Sequence, residues 1–296
     1  MNAFTIKDLE NLSGIKAHTI RIWEQRYNFL KPQRTETNIR LYSNEELRKL
    51  LNIALLNKYG FKISHIDRMN ADEINDKILS LASVEAQQER IVNELIGHMV
   101  YLNLEAFEAV LDNYILAKGI EKSITQIIFP FLERIGILWL TNHINPAQEH
   151  LVTNIIRQKL IVGIESTHSH LPLNKTALLF LPEGEYHELG LLFMYYLLKS
   201  RGVKIYYLGA NIPFKDMAYV VNVKHPDLLY THLTSVTNHF NLEKMLLLLS
   251  NEMPDVPVVI SGQLVQQYKK KVPKNIYFKK SLNEVMEYIA SIGKTS

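Results

Sequence analysis

Two hydrophobic periods divide the 296-residue chain. Between Val84 and Glu165 apolar residues recur at helical spacing, as in Ile91, Leu95, Ile96 and Met99, and again in Phe107, Val110, Leu111 and Tyr114. Asn103, Gly119 and the segment Asn142–Pro146 interrupt this run, which predicts four helices of bundle length. From Thr176 the pattern changes to short apolar runs alternating with helical ones. Strands are expected at Ala177–Leu181, Val203–Leu208, Leu228–Leu233, Val256–Ile260 and Ile276–Phe278. Helices are expected at Leu189–Arg201, Phe214–Val223, Leu242–Asn251, Leu264–Lys270 and Leu282–Ile292. Such alternation predicts a flavodoxin-like (Rossmann-type) parallel sheet flanked by helices, with strand order 2-1-3-4-5 and a switch point between the first and third strands.

The first seventy residues follow a third pattern. Thr5 can cap a short helix at Ile6–Asn11, Ser13-Gly14 makes a tight turn, and Ala17–Tyr27 forms a second helix, which is helix-turn-helix spacing. Ile20 and Trp23 face the core together, leaving Lys16, His18, Thr19 and Arg21 outward near the helix start. Pro32–Tyr42 reads as a hairpin turning at Thr35–Asn38, with Arg34 and Arg40 on either side. A polar stretch, Asn70–Asp76, then leads into the helical region. The expected domains are 1–75 (winged helix-turn-helix), 84–168 (four-helix bundle) and 174–296 (α/β).

Composition is that of a globular protein, with 47% hydrophobic, 21% charged and 9% aromatic residues. The absence of Cys excludes disulfides and thiolate metal sites and suits a reducing cytoplasm. No apolar run approaches the ~18 residues of a membrane span, and the polar amino terminus carries no secretory pattern. Charge is unevenly spread: residues 1–70 hold twelve Lys/Arg against seven Asp/Glu, a balance of +5 that leaves −2 for the rest. A basic amino-terminal module points to nucleic acid. Arg21, Arg34 and Arg40 are its candidate phosphate contacts, whereas Glu24 and Arg26 suit an ion pair as well as they suit DNA.

Candidate cofactor chemistry lies in Glu185-Tyr186-His187-Glu188-Leu189-Gly190, the loop between the first α/β strand and its helix. Ligands of open α/β sheets sit at the carboxyl ends of strands, so His187 points where a cofactor lies. Glu185 can accept a hydrogen bond from one ring nitrogen, fixing the tautomer and strengthening the other as a metal donor. Gly190 removes a side chain where a bulky ligand passes the backbone. A loop histidine also serves as a surface or structural residue. The ends of the third and fourth strands bring Thr231–Ser235 and Ser261-Gly262 to the same crevice, where they also suit ordinary strand ends. His232 either intrudes there or contributes, a choice that periodicity leaves open.

Several of these residues carry family resemblances. Arg21-Ile22-Trp23-Glu24-Gln25-Arg26-Tyr27 followed by Arg40-Leu41-Tyr42-Ser43 resembles the winged helix-turn-helix of the MerR family over residues 3–70. The resemblance implies that the second helix reads the major groove of operator DNA while the wing grips its backbone. It would place Lys16, His18, Thr19, Arg21, Tyr27, Arg34, Arg40 and Tyr42 on the duplex. The usual long dimerising coiled coil is missing, because the following helices show no sustained heptads. Glu185-x-His187-x-x-Gly190 resembles the motif of cobalamin-binding domains, in which the histidine replaces the cofactor's own benzimidazole as lower cobalt ligand. Thr231-His232-Leu233, with Ser235 beyond it, and Ser261-Gly262 resemble the small-residue motifs that leave a channel for the displaced nucleotide tail.

Trp139 and, after nine intervening residues, Glu149-His150 are similar to the signature of the light-responsive, cobalamin-dependent CarH/LitR repressors. This resemblance implies adenosylcobalamin, or another cobalamin, capped on its upper face by the bundle. An indole plane covers an adenine face, and a carboxylate accepts hydrogen bonds from ribose hydroxyls. It further implies assembly to a homo-oligomer, dimer or tetramer, on cofactor binding, and release of DNA when light cleaves the cobalt–carbon bond. Leu140 stands where light-sensing members often carry a histidine that takes the vacated cobalt position. Asn142 replaces a common glycine, a change compatible with a left-handed turn. The expectation is a cytoplasmic regulator rather than an enzyme. Its rivals are the same architecture sensing another ligand or a protein, a corrinoid enzyme subunit, and a purely structural DNA-binding adaptor.

Overall fold

The computed structural model describes residues 3–140, 144–169, 171–235 and 240–292, the side chains of 137–140 excepted. Contacts divide the chain into two compact units, Met1–Ile156 and Arg157–Ser296. Among the described residues no helix is long and apolar enough to cross a membrane.

In the first unit, α1 (Ile6–Ser13) starts at a reciprocal cap between Thr5 and Asp8 and ends at Gly14, whose φ of 72° places it in the left-handed region. The turn delivers α2 (Ala17–Arg26), which buries Ile20 and Trp23. Strands β1 (Gln33–Arg34) and β2 (Arg40–Leu41) pair antiparallel as the expected wing. Three helices follow: α3 (Asn44–Lys58), α4 (Ile63–Ile66) and α5 (Ala71–Leu79). The polar stretch expected to lead into the bundle is therefore mostly helical. Asn70 and Glu73 cap each other's backbone N–H groups, and this box starts α5 despite the sparse apolar periodicity after it.

The bundle comprises α6 (Val84–Val100), α7 (Leu104–Lys118), a third helical rod and α10 (Pro146–Glu165), whose last residues belong to the second unit. The rod is built from α8 (Ile120–Ser123), a π-helical turn at Ile124–Ile128 and α9 (Phe129–Leu140). The π turn lies just before Pro130, which has no N–H for the helical ladder. Asn103 caps α7 and Gly119 ends it, as their residue types predict. The buried Asn93 joins three helices: its Nδ2 donates to the Leu51 carbonyl of α3 (3.4 Å), and its Oδ1 accepts from Arg134 Nη1 of α9 (2.5 Å). Helix α3 therefore meets the bundle through a satisfied polar contact as well as through apolar faces.

The second unit alternates β3 (Thr176–Pro182), α11 (Leu189–Ser200), β4 (Lys204–Ile212), α12 (Phe214–Lys224), β5 (Leu228–His232), α13 (Leu242–Glu252), β6 (Val258–Ser261), α14 (Gln263–Gln266), β7 (Ile276–Lys279) and α15 (Leu282–Ile292). Its strands are parallel in the order β4-β3-β5-β6-β7, which is the expected 2-1-3-4-5. Central β3 is buried from Ala177 onward, as a strand covered on both faces must be. One core cluster joins Leu178, Phe180, Leu229 and Ile260 to Met217, Val221, Leu246 and Leu249. Two elements differ from expectation. Strand β4 continues past Leu208 because Gly209, at φ 86°, absorbs a register shift against Phe180. Helix α14 is a single turn, shorter than the predicted Leu264–Lys270.

Gly262, at φ 103°, packs against the Leu233 backbone, where a Cβ would collide with the carbonyl group. Gly262→Ala therefore combines a disfavoured dihedral with an overpacked contact, each costing about 1–3 kcal/mol. Urea unfolding should show the α/β unit losing at least about 2 kcal/mol; a change below about 0.5 kcal/mol would refute this packing argument.

Candidate functional site

A carboxylate on α2 organises the basic face. Glu24 accepts from Arg40 Nε through both oxygens (3.1 and 2.9 Å) and from the Tyr42 hydroxyl (3.1 Å), and Arg34 Nη2 lies 3.9 Å away. These bonds tie the wing to α2. Burial, reinforced by the Glu24 charge, raises the Tyr42 phenol, which therefore stays a hydrogen-bond donor. Arg34 also donates to Asn38 Oδ1 at 2.6 Å, bracing the wing turn, where Asn38 has φ 63°. Lys16, His18 and Arg21 are exposed on or beside the first turns of α2, with Thr19 partly buried among them. Lys16 lies 3.3 Å from Glu10, and Tyr27 stacks on Phe29 at 5.8 Å. Apart from Tyr27, stacked on Phe29, and Arg34, the eight predicted residues fall into two groups. Lys16, His18, Thr19 and Arg21 line the start of α2, whereas Arg40 and buried Tyr42 hold the wing, with Arg34 between these roles. Glu24 turns to the wing for its partners, and Arg26 is exposed.

In the second unit the loop after β3 builds a carboxylate cradle. Glu185 is fully buried. Its Oε1 accepts from the backbone N–H groups of Tyr186 (2.9 Å) and His187 (3.0 Å) and lies 2.7 Å from His187 Nδ1. Its Oε2 accepts from the N–H groups of Thr234 (2.8 Å) and Ser235 (2.9 Å), just beyond β5. Burial pushes the Glu185 carboxyl up, but the hydrogen bonds from His187, Ser235 and Thr234 outweigh it and hold the group below the usual carboxylate range. An ionised acceptor at 2.7 Å puts the proton of neutral His187 on Nδ1 and the lone pair on Nε2, in a side chain half exposed. The end of β4 fixes the loop from below: Asn211, at φ 58°, accepts from Gly184 N–H at 3.0 Å and donates its own N–H to the Glu185 carbonyl at 3.1 Å.

Among the described residues no group of three or more His, Cys, Asp or Glu is placed to hold a metal ion. An oriented single imidazole suits a metal that brings its other ligands with it, as a corrinoid does, so the donor set fits cobalamin at this point. Thr231 Oγ1, near the end of β5, is buried and without a hydrogen-bond partner among the described residues.

The rest of the crevice differs from the open channel implied by its small residues. A Cβ at Gly190 would lie 2.5 Å from His232 Cδ2 and 2.6 Å from Nε2, so the imidazole takes up the space that the glycine leaves. His232 Nδ1 lies 2.7 Å from Ser261 Oγ, which also bonds the buried Tyr230 hydroxyl. Leu233 is a core side chain, and its backbone fills the space beside Gly262. Ser235 meets the site through its N–H on Glu185. Burial lowers His232 to about 4, the Glu185 charge opposing and the His187 ring assisting, so the ring is neutral at neutral pH.

Of the remaining candidates, Glu149 and His150 begin α10 and pair at 3.1 Å, with His150 well exposed. Trp139 is in the last turn of α9, but its side chain, like that of Leu140, lies outside the described residues, as does Asn142. Asn211 and the cluster in which Glu188 accepts from Tyr207 (3.0 Å) and pairs with Arg157 (2.5 Å) carried no sequence signal, because partners from distant strands and helices make them.

Two outcomes test this geometry. Arg21→Ala, at an exposed site, should change stability by no more than about 0.5 kcal/mol yet lower the salt slope of duplex binding by about one, whereas Arg40→Ala should cost about 1–3 kcal/mol in unfolding. Equal effects on both measurements would contradict the division of roles. A histidine lowered from 6.5 to about 4 stabilises fully above its unfolded value and loses that contribution as pH falls through the folded one. Between pH 6.5 and 4 the α/β unit should therefore lose up to about 3 kcal/mol that His232→Asn does not lose. Identical pH profiles of unfolding for the two proteins would contradict a buried neutral ring.

Comparison with known proteins matches the helix-turn-helix and the helical bundle to two family models. Residues 4–73 match the MerR HTH family regulatory protein model, and residues 91–162 match the B12 binding domain model. The transcriptional repressor CarH of Myxococcus xanthus is 26% identical over 90% of this chain and 91% of its own length. The repressor CarA of the same organism is 28% identical over 76% of this chain and 74% of its own. The monomethylamine corrinoid protein of Methanosarcina barkeri, 16% identical, shares the fold with a TM-score of 0.54 over 69% of this chain and 99% of that one. The chain therefore joins a MerR-type helix-turn-helix to a B12-binding region and is homologous to the repressors CarH and CarA.

Proposed function

We propose that this protein is a transcriptional repressor whose operator binding and assembly are controlled by adenosylcobalamin, with His187 as the lower cobalt ligand. The observation that carries the reading is the Glu185 cradle: a buried carboxylate, pinned by four backbone N–H groups, 2.7 Å from His187 Nδ1. A carboxylate that accepts a hydrogen bond from the other ring nitrogen orients a ligating imidazole and raises its basicity. When bound, adenosylcobalamin supplies a cobalt–carbon bond that light cleaves. Neutral His187 offers Nε2, Glu185 keeps the ring from turning, and the exposed start of α2 meets operator DNA. The family resemblance gives Trp139, Glu149 and His150 to the upper ligand. Homo-oligomerisation raises the affinity of a module with few base contacts through effective concentration. DNA regulation assigns the protein to the cytoplasm, and homology to repressors favours regulation over catalysis.

The competing reading is the same architecture without cobalamin, and the observation in its favour is the imidazole lying against Gly190. Mixing purified protein with adenosylcobalamin in darkness separates the two. Co-elution with a histidine-bound spectrum is expected, lost in His187→Ala, and Glu185→Gln should weaken binding about 10- to 100-fold. Size-exclusion chromatography and operator binding should change with cofactor and reverse on illumination. An unaltered spectrum in His187→Ala would remove that residue as ligand, and cofactor-independent assembly and DNA binding would remove the sensor.

A further inference from the structure

The crevice at the switch point of the sheet is already occupied by a planar nitrogen heterocycle, and it belongs to the protein. The His232 ring projects from the end of β5 and lies where any side chain on Gly190 would have to be. It holds a hydrogen bond to Ser261 Oγ at 2.7 Å, on the neighbouring strand. Beside it is the buried Tyr230 hydroxyl, two residues earlier on the same face of β5, which also bonds Ser261. Such a slot is shaped and polar on one edge, as a heteroaromatic ring requires. Gly190 follows His187 by three residues, so the slot opens beside the imidazole assigned to cobalt.

We propose that His232 is an internal occupant of this slot and makes the chain discriminate among corrinoids by their lower nucleotide. The inference rests on the reading of His187 as the cobalt ligand. When His187 takes the lower position, a base carried by the cofactor must be accommodated on that same side. The crevice at the switch point is the place where an open α/β sheet receives ligands. A tail ending in a planar base competes with the His232 ring for one volume and one hydrogen-bond partner. A corrinoid without a base needs no such displacement. Apparent affinity for the complete cofactor is then its intrinsic affinity reduced by the fraction of molecules in which the ring has swung away.

The test compares adenosylcobalamin with adenosylcobinamide, which lacks the nucleotide, by absorbance titration of the full chain in darkness. His232→Ala should tighten adenosylcobalamin about tenfold and leave adenosylcobinamide within about twofold, as expected when only the first ligand must open the slot. His232→Asn, which keeps a short group able to bond Ser261, should shift the ratio in the same direction and guards against a variant that fails to fold. An unchanged ratio in both variants, or equal tightening of both ligands, overturns the role of His232 while leaving His187 as ligand. Failure of both corrinoids to bind, in wild type and variants alike, overturns the cobalamin reading itself, and this inference with it.

Discussion

A buried carboxylate is costly unless its oxygens are satisfied, and the site after β3 exists because Glu185 meets that condition. Four backbone N–H groups and one imidazole converge on it from two loops that are far apart in sequence. Removing any one donor leaves part of a buried charge unpaired, so the loops after β3 and β5 are held at a fixed spacing by electrostatics as much as by packing. The orientation of His187 follows from that spacing. A histidine in the same loop without the carboxylate would have two tautomers and a free torsion, and a metal would meet a disordered donor.

The helix-turn-helix uses the same device in wetter surroundings. Glu24 gathers Arg40, Tyr42 and, at longer range, Arg34, and so orients the wing against α2. Here the groups are partly rather than fully buried, so each bond contributes less than the core carboxylate's do. Their value lies in geometry: a two-residue strand pair has too few ladder bonds to hold its own direction. The positive balance of this region is therefore divided between cations that shape the module and cations, such as Arg21, that face outward.

Sequence patterning made the strand order, the four long helices and the hydrogen-bonded pairing of Glu185 with His187 legible, because each rests on local periodicity or on residues two apart. Helix α5 was obscured by its polar composition, although Asn70 and Glu73 spell a capping box three residues apart. The extension of β4 was hidden because a glycine and an asparagine in left-handed conformations usually mark a turn; here Gly209 and Asn211 sit within a bulged strand that supports the Glu185 loop. Partnerships such as Glu188 with Tyr207 and Arg157 depend on elements that only the tertiary fold brings together. Which way Arg40 faces was likewise undetermined, since a wing arginine serves phosphate or a neighbouring carboxylate with equal ease.

Gly190 and Gly262 show why small residues alone do not define a ligand channel. A glycine states that something approaches the backbone closely; it does not state what. Beside Gly262 the neighbour is the Leu233 backbone, which no ligand can displace without breaking the strand ends. Beside Gly190 it is a side chain, which can move. Any heterocycle that replaced His232 would exchange one set of ring contacts and one Ser261 hydrogen bond for similar ones, so the exchange contributes little net free energy. On the proposed reading of His187 as cobalt ligand, the affinity of such a site would come from the imidazole–metal bond and from contacts to the macrocycle, which returns the energetic weight to the geometry imposed by Glu185.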